Sequence, residues 1–283
     1  TSHLIDKPDA SLEDLMQFVK GPDFPTGGII YGAKDIERAY ATGRGGVVVR
    51  GEAEIAESEK FGFQIIISSI PYQVNKSEMI IKMADLVREK KMEGIRDIRD
   101  ESDREEKVRI AIDLKTGTNP QNVLNNLYKH TDLEKTFHFN VIALVDGIQP
   151  QVLRLKDILQ YFISHREVVV RRRTQFDLNK ALDRAHILEG LKKALDHIDA
   201  IIKTIRASDD RDDAQKQLMA KFKFSDKQAV AILEMKLQSL ANLERQKVED
   251  ELKEKQKLIK ELRALLADPK KLLKVVKDEL LAI

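Results

Sequence analysis

Several stretches carry side chains that could do chemistry. In "IPYQVNK" the phenol of Tyr72 could act as a nucleophile, with Lys76 nearby to stabilise negative charge, or it could be a sheet-edge ring packed beneath a loop. Asn75 and Lys76 open a helical pattern, and a helix N-terminus with a lysine can hold an anion. Helix capping and surface charge explain the same pair. "ATGRGG" sets Arg44 between glycines that let a backbone approach a ligand, or it marks a turn before a strand. In "RDIRDESDREE", Asp97, Asp100, Glu101 and Asp103 are interleaved with Arg96, Arg99 and Arg104. That set of carboxylates suggests a metal site, but alternating charges more often pair among themselves on a solvated turn. The 6 histidines are scattered, with no HxxxH pair, so metal catalysis has no support. Last, "HREVVVRRR" at 165–173 sets three valines against four arginines, as a basic patch for nucleic acid or as the root of a long helix.

The elements that position these residues fall into two regimes. Up to about 151 the chain changes element often, with Gly and Pro clusters as punctuation. Ser11 with Asp14 reads as a helix start. "GGVVVRGEAEI" alternates, with Val47, Val49, Ala53 and Ile55 on one face and Val48, Arg50, Glu52 and Glu54 on the other. With "FQIIISSI" it predicts a β-hairpin over 46–70 with a charged tip, closed by Pro71, which cannot donate to the ladder. Asn75 with Glu78 resembles a capping box; Met79, Met83 and Leu86 then follow helical spacing. "VRIAIDL" and "FNVIALV" read as strands, and Asn119–Pro120 as a helix start between them. Interleaved strands and helices imply a mixed sheet covered by helices.

From Leu153 onward the pattern is almost wholly helical. Leu191, Leu195, Ile198, Ile202 and Ile205 form a heptad seam on a helix reaching back to about Ile158, on the order of 70 Å long. A second seam runs through Val248, Leu252, Ile259, Leu262 and Leu266, with Lys255 its polar exception. Two seams joined by a helical connection predict an antiparallel two-helix coiled coil with a small helical knob at its tip. Ser225 and Gln228 start a helix there, and Asp268–Pro269 start the last one. The apolar Ile232, Leu233, Met235, Leu237 and Leu240 exceed what a small knob can bury, which predicts a partner surface.

Composition narrows the function. The chain has 49 basic and 47 acidic side chains, a net charge of +2, so nucleic-acid affinity must come from local segregation of charge. No cysteine, long apolar run or signal pattern is present, which predicts a soluble, cytoplasmic protein with no membrane association. The start at "TSHLID", without Met, suggests a piece cut from something longer.

The ordered motifs "GPDFPTGGIIYG", "AYATGRGGVVVRGEAEI", "IPYQVNKSEMI", "GIRDIRDESDR", "LNNLYKHTDL", "HREVVVRRRTQFDLNKALDRAHILEGL" and "QAVAILEMKLQSLANLE" cover essentially the whole chain. In this order and spacing they resemble the breakage-reunion region of bacterial type IIA topoisomerases, with gyrase A proteins the nearer branch and topoisomerase IV the second. The resemblance implies an α+β, multi-domain fold: a tower domain at 1–151, an outgoing coiled-coil helix at 152–209, an exit-gate dimerisation knob at 210–242, and a returning helix with a terminal helix at 243–283. It implies duplex DNA as partner, bound through Arg44, Arg50, Asn75 and Lys76. It further implies a homodimer through the knob and an ATPase partner like gyrase B, which binds the ATP and Mg2+; no cofactor is expected in this chain.

In the family the cleaving tyrosine follows an arginine in a preceding winged-helix domain. Here none of Tyr31, Tyr40, Tyr72, Tyr128 and Tyr161 follows Arg, so no catalytic residue is expected in this segment. Consecutive residues on a helix spread about 100° apart, so Arg166 and Arg171 to Arg173 cannot all face one groove. "HREVVVRRR" then reads as a lever junction between tower and coiled coil. The competing reading is a free-standing coiled-coil adaptor whose seams pair between chains.

Overall fold

The structure, a computed structural model, describes residues 1–58, 62–235 and 242–283 of an α+β chain. It divides into two compact units, Asp6–Gln160 and Tyr161–Ile283, the latter joined by Thr1–Ile5. Among the described residues no helix is long and apolar enough to cross a membrane.

After α1 (Ser2–Asp6), the first unit runs α2 (Leu12–Met16), β1 (Ile29–Tyr31), α3 (Ala33–Thr42), β2 (Arg44–Arg50), β3 (Ala53–Ser58) and β4 (Gly62–Ile67). It continues through α4 (Lys76–Arg88), β5 (Ile95–Asp100), β6 (Ile110–Leu114), α5 (Pro120–His130), β7 (Glu134–Asn140), β8 (Ile142–Val145) and β9 (Gln149–Val152). The expected mixed sheet is replaced by three sheets, ordered β1-β2-β7, β3-β4-β6-β5 and β8-β9. Every pairing among the described residues is antiparallel.

The expected hairpin over 46–70 is likewise divided. Val47 and Val49 are buried as the alternation predicts, but β2 pairs with β1 and β7, while β3 pairs with β4 in another sheet. Gly51 is where the chain crosses. A Cβ there would meet the Ser69 carbonyl oxygen at 2.4 Å and Leu133 Cδ1 at 2.7 Å, so only glycine passes this close to neighbouring backbone. Of the predicted charged tip "ESEKFG" at 57–62, residues 59–61 lie outside the described residues.

The four-stranded sheet is covered on one face by α4 and α5. Ile65, Ile67, Ile110, Ile112 and Leu114 pack against Met79 and Met83 of α4 and Val123, Leu124 and Leu127 of α5. On the three-stranded sheet, Val47 and Val49 pack with Ile36 of α3, Phe24, Phe137 and Phe139. Helix starts follow the sequence signals: Ser11 and Asp14 form a reciprocal capping box, and Asn119 accepts from the amides of Gln121 and Asn122 with proline next in line. At α4 the cap is made by the side-chain oxygen of Asn75.

In the second unit α6 (Leu155–Asp196, which begins in the first) is followed by α7 (Ile198–Arg206), α8 (Arg211–Phe222), α9 (Asp226–Leu233), α10 (Asn242–Ala267) and α11 (Pro269–Leu281). The predicted return seam is the face that α10 presents to α6: Leu252 and Ile259 are buried, with Val248, Leu262 and Leu266 beside them. They meet Leu178, Ala181, Ala185 and Leu188. Arg184 pairs with Glu251 at 2.7 Å and Arg245 with Asp196, so residue numbers rise along one helix as they fall along the other. The helices run antiparallel.

The outgoing seam requires a correction. The helix does not continue through 205; it ends at Asp196, and His197 adopts φ −123° and ψ 32° without a proline or glycine to announce it. Leu191, Ile201 and Ile205 turn instead into a cluster with Ala194, Leu218, Phe224, Ala229 and Ile232. The end of α6 and α7 thus share one cluster with α8 and α9.

Gly190 positions α9 on α6. A Cβ at Gly190 would meet Gln228 Cγ at 2.6 Å and Cβ at 2.8 Å. Gln228 closes the capping box with Ser225 and donates its amide to the His186 carbonyl at 2.8 Å, while the Ser225 hydroxyl lies 2.6 Å from His186 Nε2. A mid-helix glycine costs about 1 kcal/mol relative to alanine. Gly190→Ala should nevertheless lower stability in urea unfolding, because Gln228 cannot withdraw its Cβ; a stabilised variant would show that α9 is not seated here.

Candidate nucleic-acid interface

Strand pairing decides which of the expected DNA-contacting residues keep their charge available. The outward face of β2 carries Arg44, Val48 and Arg50, opposite Asn140, Thr136 and Glu134 of β7. Arg50 donates to the Glu134 carboxylate, and its guanidinium lies over the rings of Tyr31 at 4.4 Å and Tyr128 at 4.8 Å. The Glu134 hydrogen bond raises the Arg50 pKa further above its usual value, against the opposing effect of burial. Its charge is committed inside the unit.

Asn75 and Lys76 are likewise occupied. The Asn75 side-chain oxygen accepts from the amides of Ser77 at 3.0 Å and Glu78 at 3.3 Å. Lys76 Nζ lies 2.8 and 3.0 Å from the Asp100 carboxylate oxygens, tying the start of α4 to β5. The lysine, with the Ser102 hydroxyl next, holds the Asp100 pKa below its usual value.

Arg44 differs. It is exposed and donates from Nε to Asn140 Oδ1 at 3.1 Å, which aims the guanidinium, and among the described residues no carboxylate pairs with it. Thr136, His138 and Asn140 are exposed along the neighbouring strand, with His138 opposite Gly46. The sequence reading missed this polar row. Its signal was the alternation in "EKTFHFN", where Phe137 and Phe139 turn inward, but only the register with β2 places the row beside Arg44.

Tyr72 is a packing ring, stacked on Phe24 at 5.7 Å and edge-on to Phe137 at 5.8 Å. The charged stretch after Ile95 begins as strand β5 rather than as a turn, and its Arg96 and Arg99 do pair with carboxylates. Arg99 contacts Asp97 at 3.4 Å and Glu101 at 3.1 Å, and both Arg99 and Arg96 bind Asp113. Asp113 points to the outer face of the sheet yet is only 1% exposed, because the arginine stems and Gln64 cover it. Among the described residues, no group of three or more His, Cys, Asp or Glu could hold a metal.

In "HREVVVRRR", Val170 is fully buried against Leu272 and Val276 of α11. Arg166, at 2.7 Å, and Arg173 converge on Glu279, whose pKa their hydrogen bonds lower, while Arg171 pairs with Glu167 one turn back. Two of the four arginines therefore fasten α6 to α11, and a third pairs within α6. In the knob, Ile232 is 4% exposed and spent on the internal core; Leu233 lies partly buried at its edge and Met235 is half-buried. Leu237 and Leu240 lie outside the described residues.

The family whose model matches is that of the A subunits of DNA gyrase and topoisomerase IV, over residues 1–281, and the chain belongs to that family. Among curated relatives it is 53% identical over 277 residues to the DNA gyrase A protein of Clostridium acetobutylicum, covering 98% of this chain and 33% of that protein. The corresponding Dehalogenimonas lykanthroporepellens protein is 52% identical over 281 residues, covering 99% and 34%. That of Staphylococcus aureus is 51% identical over 276 residues, covering 98% and 31%. The chain thus spans about a third of the length of these relatives.

Asp113 gives the pH test. Burial pushes its carboxyl up, but hydrogen bonds from Arg99, Gln64 and Arg96 outweigh this and hold the pKa at about 2. An unfolded aspartate titrates near ~3.9. The folded value is the lower one, so the contribution, about 2 kcal/mol, is complete above about pH 4 and disappears as pH falls toward 2. Urea unfolding of Asp113→Asn at pH 7 should show that loss, with a flatter stability profile from pH 4 to 2 than the parent chain.

Proposed function

We propose that the chain is part of the DNA-cleaving subunit of a type IIA topoisomerase of the gyrase A kind. It serves there as scaffold of the DNA gate and as exit gate during ATP-dependent passage of one duplex through another, and so in supercoiling. The observation that carries this reading is the family match across nearly the whole chain. Asp6–Gln160 is the tower, α6 and α10 the antiparallel coiled coil, and the helices between them the dimerising knob. The work of this segment is mechanical: Arg44, steadied by Asn140, contacts backbone phosphate, which supplies affinity and orientation with little sequence information. Strand scission is assigned to a tyrosine outside this segment, since no tyrosine here follows an arginine. ATP and Mg2+ belong to a partner protein like gyrase B, and the assembly works in the cytoplasm.

An adaptor whose seams zip between chains fits less well, because Leu252 and Ile259 of α10 are already packed on Leu178 and Leu188 of α6 within one chain. In the gate reading the two-fold contact is made at the tip by Leu233, Met235, Leu237 and Leu240.

Duplex binding by the chain should be weak and fall steeply with salt. Arg44→Ala should lower the slope of log affinity against log salt by about 1, whereas Arg50→Ala should leave that slope unchanged and reduce stability. Anisotropy titrations with a labelled duplex measure both, and a covalent DNA adduct formed by this chain alone would overturn the assignment.

The dimer is tested separately by light scattering of Met235→Glu/Leu237→Glu, which should be monomeric. Leu233 is left intact because it also packs the knob core. A persisting dimer contradicts the tip contact.

A further inference from the structure

Helix α6 is apolar on two opposite faces. Val170, Thr174 and Leu178 are buried on one of them. At about 100° per residue, Tyr161, His165, Val168, Arg172 and Phe176 lie on the other, within about 80° of one another. Here the large side chains remain in water: Tyr161 is 45% exposed, Val168 45% and Phe176 67%, and His165 and Arg172 are exposed between them. A helix in solution normally turns a polar face outward. An apolar stripe about 22 Å long, by helix rise, marks an interaction surface rather than a scatter of single exposed residues.

The two cations identify what covers it. The positions one helical turn from Arg172 are Val168, Val169, Gln175 and Phe176; those from His165 are Tyr161, Phe162, Val168 and Val169. None is acidic. Among the described residues no carboxylate pairs with Arg172 or His165, although Arg166, Arg171 and Arg173 beside them each have one. Arg172 is the member of the "VRRR" run left unpaired. We propose that this face of α6 is a docking surface for an acidic amphipathic helix of a protein partner, its aliphatic residues packing on Tyr161, Val168 and Phe176 and its carboxylates meeting Arg172 and His165. Duplex DNA fits less well, because it offers phosphates to the cations but nothing for Val168 and Phe176 to bury against. A helix laid along the stripe supplies both, through anchors spaced one turn apart.

The test uses the whole chain and a labelled 21-residue helical peptide of leucine and glutamate heptads, with a leucine and lysine peptide as its charge-inverted counterpart. The acidic peptide should bind and the basic one should not. Phe176→Ala should weaken binding by about tenfold or more, and Arg172→Glu should reverse the preference between the peptides. Both positions are exposed, so unchanged thermal unfolding should accompany these losses. The proposal is overturned if the acidic peptide fails to bind, if the variants bind it as the parent does, or if Arg172→Glu keeps the original preference. It is also overturned if a duplex oligonucleotide competes for the same residues, which would make the stripe a DNA contact, or if the stripe proves to join two copies of the chain.

Discussion

Charged side chains make up 34% of this protein, and a cation drawn into packed structure must bring a carboxylate with it. That requirement organises both units. Arg50 is enclosed by Glu134 and two tyrosine rings, Arg96 and Arg99 close over Asp113, Lys76 is tied to Asp100, and Arg166 and Arg173 share Glu279. A side chain without such a partner keeps its charge available to something outside. Arg44 is one, and it is held by a neutral amide rather than by a carboxylate.

The local structure was largely legible because local physics produced it. The Ser11 and Ser225 capping boxes, the proline starts at Asn119 and Asp268 and the α10 seam all depend on residues within a turn or two of each other. Tertiary choices were not visible in the same way. Gly51 looks like any glycine in "VVVRGEAEI" until Ser69 and Leu133 close around it, and with it the hairpin becomes two strands in two sheets. The break at His197 has no local cause, since the heptad seam continues through it. The burial of Ile201 and Ile205 against Leu218 and Ile232 overrides the helical repeat there.

The functional residues divide along the same line. Motif reasoning found Arg44, Arg50, Asn75 and Lys76 as basic or polar groups near loops, but it could not see that Glu134 and Asp100 lie opposite two of them. Both partners are distant in sequence, Glu134 by 84 positions from Arg50 and Asp100 by 24 from Lys76. The row of Thr136, His138 and Asn140 went unnoticed for the converse reason, since polar residues on a strand say nothing until the register brings them beside Arg44. Helical geometry did correctly limit "HREVVVRRR": its arginines do not all face one way, since Arg166 and Arg173 share Glu279 while Arg171 pairs with Glu167 within the helix.

Small residues on α6 explain how one helix can carry both a long partner and a compact tip. Ala181 and Ala185 lie buried in the contact with α10, Gly190 admits Gln228 of α9, and Ala194 is buried in the knob cluster. Along 181–194 the neighbours can therefore approach the α6 backbone closely, where a leucine at each position would hold them off. Close approach lets many small contacts act together.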